Sequence, residues 1–130
     1  MRGELIEARL TQSVIGCFYE VYNTLGYGYL EKVYVLAMER ELRARGHHVA
    51  REVPLMICYK GEDLAWQKLD MVVDDRLIVE AKATEVLHPS AKRQLYSYLK
   101  GTGLPVGLLL HFGPEPRIQR AVHIRPNRSA

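Results

Sequence analysis

Hydrophobic residues recur with a helical period over the first third of the chain and with a strand period through its middle. In ELIEARLTQSVIGCFYEVYNTLG, Ile6, Leu10, Val14, Phe18, Val21 and Leu25 fall three or four apart, which predicts a first helix. Gly26 suits the left-handed position that closes one. YLEKVYVLAMERELRARG repeats the period through Leu30, Val33, Tyr34, Ala37, Met38 and Leu42, finishes in basic residues and stops at Gly46. This is the second helix, joined to the first by GYG.

From Val49 the period shortens to two: Val49, Arg51, Val53, Leu55, Ile57 and Tyr59 alternate with other residues, and Pro54 marks an edge strand or a strand start. YKGEDL turns the chain, AWQKLDMVV forms a second strand, and LIVEAKA a third after DDR, so an antiparallel meander is expected. HPSAKRQLYSYLKG reads as a third helix, with His88 or Ser90 at its cap, Pro89 in its first turn, Leu95 and Leu99 on one face and Gly101 ending it. PVGLLLHFG is apolar throughout, as in a strand buried on both faces, and RIQRAVHIR alternates as a final edge strand. The predicted order is ααβββαββ, in one domain over residues 1–125 with PNRSA, 126–130, as a short tail.

One stretch breaks the apolar logic. Leu77, Ile78, Val79, Ala81 and Ala83 read as buried strand, yet Glu80 and Lys82 interrupt them and point to one face. If DDR is a three-residue hairpin loop, paired residue numbers sum to 150, which sets Val73 against Leu77 and Asp70 against Glu80. A two-residue loop would instead turn Asp70 to the other side. Carboxylates facing each other across strands repel unless a proton or a cation lies between them. Mg²⁺ takes oxygen ligands, keeps several waters and is held by one or two carboxylates plus substrate phosphate. Asp70 and Glu80 are the candidate ligands, the Ala81 carbonyl a third oxygen, and Lys82 the group beside a metal-bound water. The alternative is a solvated or buried ion-pair cluster with no chemistry, because exposed pairs contribute little. Glu80-Ala81-Lys82 is the one acid-x-Lys in the chain and falls in the central strand of the meander.

Composition and charge add less. The chain has 130 residues, 48% of them hydrophobic, enough for one core. No apolar run approaches the roughly 18 to 20 residues of a membrane span, and acids stand where a signal peptide would be greasy, so a cytoplasmic protein is expected. Cys17 and Cys58 lack metal-ligand spacing and read as reduced core thiols. The histidines also lack metal spacing, His47, His48, His88 and His123 read as surface residues, and no Ser-His-Asp arrangement emerges. The net charge of +3 is concentrated at the C-terminal end, where Arg117, Arg120, Arg125 and Arg128 stand without an acid. They form either a solvated edge or contacts to phosphates.

Asp70, then Glu80-x-Lys82 ten residues on, in a hairpin followed by a helix, resembles the PD-(D/E)xK nuclease superfamily, with Leu69 where the nominal proline would be. GYLEKVY, with Gly28, Glu31 and Tyr34, is similar to the signature of the small bacterial GxxExxY proteins placed in that superfamily. The similarity runs from about Gly26 to Gly113. It implies a restriction-endonuclease-like α/β (α+β) core, a mixed sheet flanked by helices. It implies a nuclease acting with Mg²⁺ or Mn²⁺ on nucleic acid, DNA first, and leaves open a non-catalytic binding module and a homodimer. It also implies that Glu31 reaches the metal site and that Gln94 and Tyr98, four apart on the third helix, face the site or the backbone of the substrate. The chain departs from the family at His111, where Asn commonly precedes Phe112, and at Ala81, which replaces a usual Leu.

Overall fold

The computed structural model describes residues 6–124. Two helices, α1 (Ala8–Leu25) and α2 (Glu31–Ala44), precede three strands, β1 (Val49–Tyr59), β2 (Glu62–Val73) and β3 (Leu77–Lys82). Then come α3 (Ser90–Thr102), β4 (Val106–Phe112) and β5 (Pro116–Val122). The order is the ααβββαββ read from the periodicity. The strands lie in the order β1-β2-β3-β4-β5, antiparallel except for β3 and β4, which α3 connects in parallel. Arg125 and Arg128 lie outside the described residues.

Each face of the sheet has its own core. Leu77, Val79 and Ala81 of β3 and Leu108, Leu110 and Phe112 of β4 pack with Val14, Phe18, Tyr34 and Met38 of α1 and α2. Ile78 and Leu109, of opposite parity, pack with Leu95, Tyr98 and Leu99 of α3. β3 and β4 are covered on both sides, which is why β4 is apolar almost throughout and why Glu80 of β3 is buried. α3 does not end at Gly101: it continues to Thr102, and Gly103 (φ 79°) closes it. A Cβ on Gly101 would stand 3.0 Å from Leu55, so this glycine lets α3 approach β1.

The hairpin between β2 and β3 has the three-residue connection that the candidate site requires. Val73 faces Leu77, Val72 faces Ile78 and Met71 faces Val79. Asp74 and Asp75 are both left-handed (φ 53° and 56°), a conformation aspartate tolerates better than most residues. Asp74 also accepts the His48 N–H at 2.8 Å and bonds His47 Nδ1 at 2.7 Å, while His47 Nε2 lies 2.7 Å from Ser13 Oγ. Two sequence expectations fail here: His47 is not a free surface residue, and Ser13, His47 and Asp74 do form a serine-histidine-aspartate chain. It links α1, the α2–β1 connection and the hairpin turn. Ser13 lies inside α1, where the neighbouring N–H groups are committed to helix bonds, so no donor pair is left to hold an oxyanion. The chain is a strut. Cys17 is buried as expected, but Cys58 is exposed, near the tip of the β1–β2 hairpin.

Besides a bulge at Ile57/Cys58, strict alternation fails at one level shared by two strands. Val49, Met71 and Val73 pack on the α1/α2 side, whereas Val53, Leu55 and Leu69, of the same parity, pack on the α3 side. The pairing runs from Arg51↔Met71 to Val53↔Leu69 and omits Glu52 and Asp70 between them. Glu52 has φ 53°. The face reversal in both strands preserves their register and falls at Asp70.

Candidate functional site

Asp70 and Glu80 are brought together as the hairpin arithmetic requires, through bonds that strand pairing alone does not predict. Regular pairing of β2 and β3 ends at Met71↔Val79. Beyond it the Asp70 N–H donates to Glu80 Oε2 at 2.7 Å, and the Ala81 N–H donates to Asp70 Oδ2 at 2.8 Å. Each side chain thus caps the other strand's backbone where the ladder has opened. The remaining oxygens, Asp70 Oδ1 and Glu80 Oε1, take no hydrogen bond from a described residue.

Burial governs the electrostatics. Glu80 is 5% exposed, and its carboxyl is pushed up to about 8, first by burial and then by the charge of Asp70. Burial also raises Asp70, against the Ala81 N–H and Lys82, which pull it down. Glu31, the first residue of α2, is raised by burial and by Asp70 and lowered by Lys82. Burial and the neighbouring acid thus act against the preference of a helix N-terminus for a carboxylate. Glu31, Glu52 and Asp70 share a cleft of about 230 Å³ with Lys32, Val35 and Arg51. Sequence reasoning missed Glu52; its only signal is that the pairs Arg51↔Met71 and Val53↔Leu69 bracket it together with Asp70.

Lys82 is partly exposed and makes no hydrogen bond or ion pair with any described residue. Its charge nevertheless draws Asp70, Glu80 and Glu31 down toward their ionised forms, without a direct bond to any of them. Among the described residues, no three His, Cys, Asp or Glu side chains are gathered closely enough to cage a metal ion alone. The donor set nevertheless suits a hard divalent cation of the Mg²⁺ type, which needs only one or two carboxylates when water and phosphate complete its shell. Two adjacent acids with a spare oxygen each meet that requirement.

α2 is held at its first turn by a clasp. Gly28 has φ 122°, which excludes other residues. The buried Tyr34 hydroxyl donates to the Gly26 carbonyl and accepts the Tyr29 N–H, and the ring stacks on Phe112 at 4.3 Å. Gly28, Glu31 and Tyr34 thereby act together: the glycine turns the chain, the tyrosine fixes the loop, and the acid stands at the helix start. At the far end of β3, His111 Nε2 bonds the Thr84 carbonyl at 2.7 Å, and a Cβ on Gly113 would collide with the imidazole. The buried His111 Nδ1 has no partner. The expected histidine departure has become a tie between β4 and the segment following Lys82.

The other expected contacts separate. Gln94 is exposed and shares a groove with Lys82. Tyr98, four residues on, is 5% exposed and donates its hydroxyl to Gln67 Oε1 at 3.3 Å, and its acidity is lowered by burial and by the charges of Glu80 and Asp70. It lies beneath the acids, within the core. Arg117 is level with Lys82 through the pairs Lys82↔His111 and His111↔Arg117, two strands away, and pairs with Glu115 at 3.2 Å. Arg120 donates to the Ile6 carbonyl at 2.8 Å, which commits its guanidinium to the start of the described chain.

Comparison with known proteins follows this geometry. The model of a family described as PDDEXK_3, PD-(D/E)XK nuclease superfamily, matches residues 8–122. Among solved structures, the crystal structure of SSO0001 is similar with a TM-score of 0.59 at 17% identity, over 73% of this chain and 50% of that one. The chain thus spans about half the length of that protein, and the likeness is one of fold. No curated protein matches.

Proposed function

The chain belongs to the PD-(D/E)XK nuclease superfamily, and from that premise we propose that it is a cytoplasmic enzyme hydrolysing phosphodiester bonds of nucleic acid, DNA first, with Mg²⁺ or Mn²⁺. The observation that carries this reading is the reciprocal capping of two adjacent acids, the buried Glu80 and the half-buried Asp70, each with a spare oxygen, beside a Lys82 that is hydrogen-bonded to neither. Asp70 and Glu80 hold the ion, with the Ala81 carbonyl and Glu31 as further oxygens. A divalent ion held there would supply Lewis-acid polarisation of a phosphoryl oxygen and a more acidic water. Lys82 orients that water and stabilises charge developing on the phosphate. Gln94 meets the substrate directly, and Tyr98 supports the acids from below. Arg117, two strands from Lys82 and paired with Glu115, makes at most a peripheral contact to the backbone, by leaving that exposed pair. Arg120 contributes through the fold.

A second reading is a nucleic-acid-binding or protein-interaction module that keeps this fold without turnover, since a fold and its motif can persist without the chemistry. Incubation with single-stranded, duplex and branched substrates in Mg²⁺ or Mn²⁺ separates the two. Cleavage lost on chelation, and reduced at least a hundredfold in Asp70→Asn and Lys82→Ala, is the expected result, in line with the loss of one charge-stabilising group. Cleavage unchanged in those variants overturns the mechanism, and binding without cleavage supports the module.

A further inference from the structure

α3 turns two unlike faces to its surroundings. Leu95, Tyr98 and Leu99 are buried against the sheet, while Lys92, Arg93, Tyr96 and Ser97 stand outside. Their spacing of three and four puts these outer residues side by side. On one flank this face and the segment leaving β3 enclose a groove of about 590 Å³ with Lys82, Val86, His88, Arg93 and Ser97 in its walls. On the other flank a hollow of about 450 Å³ lies among Pro89, Lys92, Arg93, Tyr96 and Ser97. Arg93 and Ser97 border both, so the two hollows adjoin across these side chains, and Lys82 stands between the groove and the acids.

The chemistry of both hollows is one-sided. No acid lines either hollow, and neither Lys92 nor Arg93 is paired with a described residue, whereas Arg43, Arg51 and Arg117 all hold carboxylates. Tyr96 is 43% exposed yet held in place: His123 meets its ring edge-on at 5.2 Å and its hydroxyl at 3.1 Å. Cations beside a fixed, exposed aromatic ring match a backbone of phosphates whose bases are free to stack, as they are in a single strand and not in a duplex. Val86 adds an apolar wall for a sugar or base edge.

We propose that the groove and the outer face of α3 form the track for an unpaired strand of nucleic acid, with phosphates on Lys82, Arg93 and Lys92 and a base stacked on Tyr96. The proposal rests on the nuclease reading for its substrate class and adds strandedness and the binding residues. Fluorescence anisotropy with a short labelled oligothymidylate and a duplex of equal length, without divalent ion and over a range of salt, tests it. The single strand is expected to bind more tightly than the duplex. Tyr96→Ala should weaken that binding roughly five- to a hundredfold, the range of one lost stacking contact. Arg93→Ala should lower the salt slope by about 0.7, and Arg93→Lys should restore it. Equal or tighter duplex binding, affinities unchanged in both alanine variants, or no binding of either probe each overturns the track. Cleavage with unchanged kcat/KM in Arg93→Ala and Tyr96→Ala would leave the nuclease reading standing without the track. Variant-sensitive binding with no cleavage would leave the track without the nuclease.

Discussion

Glu80 is the residue on which the electrostatics turn. Its carboxyl rises from an ordinary glutamate value to about 8, so the folded protein keeps a proton there that the unfolded chain releases near pH 4.5. Stability therefore falls as pH rises through that interval: the group costs nothing below about pH 4.5, and its full penalty is present above about pH 8. The penalty is on the order of a few kcal/mol, because the side chain is almost wholly buried. In denaturant unfolding without metal, wild type should lose stability between about pH 5.5 and pH 8.5 relative to Glu80→Gln. Parallel pH profiles for the two proteins would show that Glu80 ionises as freely in the fold as outside it. The acid-x-Lys signal made this residue visible in the sequence. What it could not convey was the crossing of side chain and backbone, because two buried N–H groups turn to carboxylates only when the ladder between them has opened.

At the level of elements, α2 matters through the clasp at its start. Tyr34→Phe leaves the stacking on Phe112 but removes the hydroxyl that satisfies the Gly26 carbonyl and the Tyr29 N–H. The expected loss is about 1 to 3 kcal/mol of stability. Activity should also fall, at temperatures where the variant is fully folded, because Glu31 sits one turn away. Melts and cleavage rates measured side by side check both, and full activity with reduced stability would confine the clasp to a structural role. Element order and the double burial of β4 were legible, since periods of 3.6 and 2 and a continuous apolar run are local properties; the three-residue hairpin was a condition of the candidate site that spacing alone did not decide, and the cover over the charged face of β3 was not legible. The reversal of faces at Glu52 and Asp70 was not: Val53 and Leu55 keep the parity of Val49, and only the packing reveals that they turned over. Nor could spacing reveal the Ser13–His47–Asp74 strut, whose members come from three separate segments.

For the molecule as a whole, the acids of the site lie where two strands leave regular pairing, between a cleft beneath α2 and a groove beside α3. The uneven charge of the sequence pointed to the C-terminal arginines, but of the two that are described Arg117 is paired and Arg120 is committed to the backbone. The cations that line the grooves beside the site and hold no described carboxylate are Lys92 and Arg93 on α3 and Lys82 at the end of β3, where sequence periodicity marked the helix and not its exposed face. None of the described helices is long and apolar enough to cross a membrane. The central claim is that Asp70 and Glu80 share a divalent ion, and calorimetric titration of Mn²⁺ into the protein at about pH 7 tests it most directly. Saturable binding that releases close to one proton, as Glu80 ionises against the metal, and that disappears in both Asp70→Asn and Glu80→Gln is the predicted result. Undiminished binding in those two variants, or binding without proton release, would contradict the account.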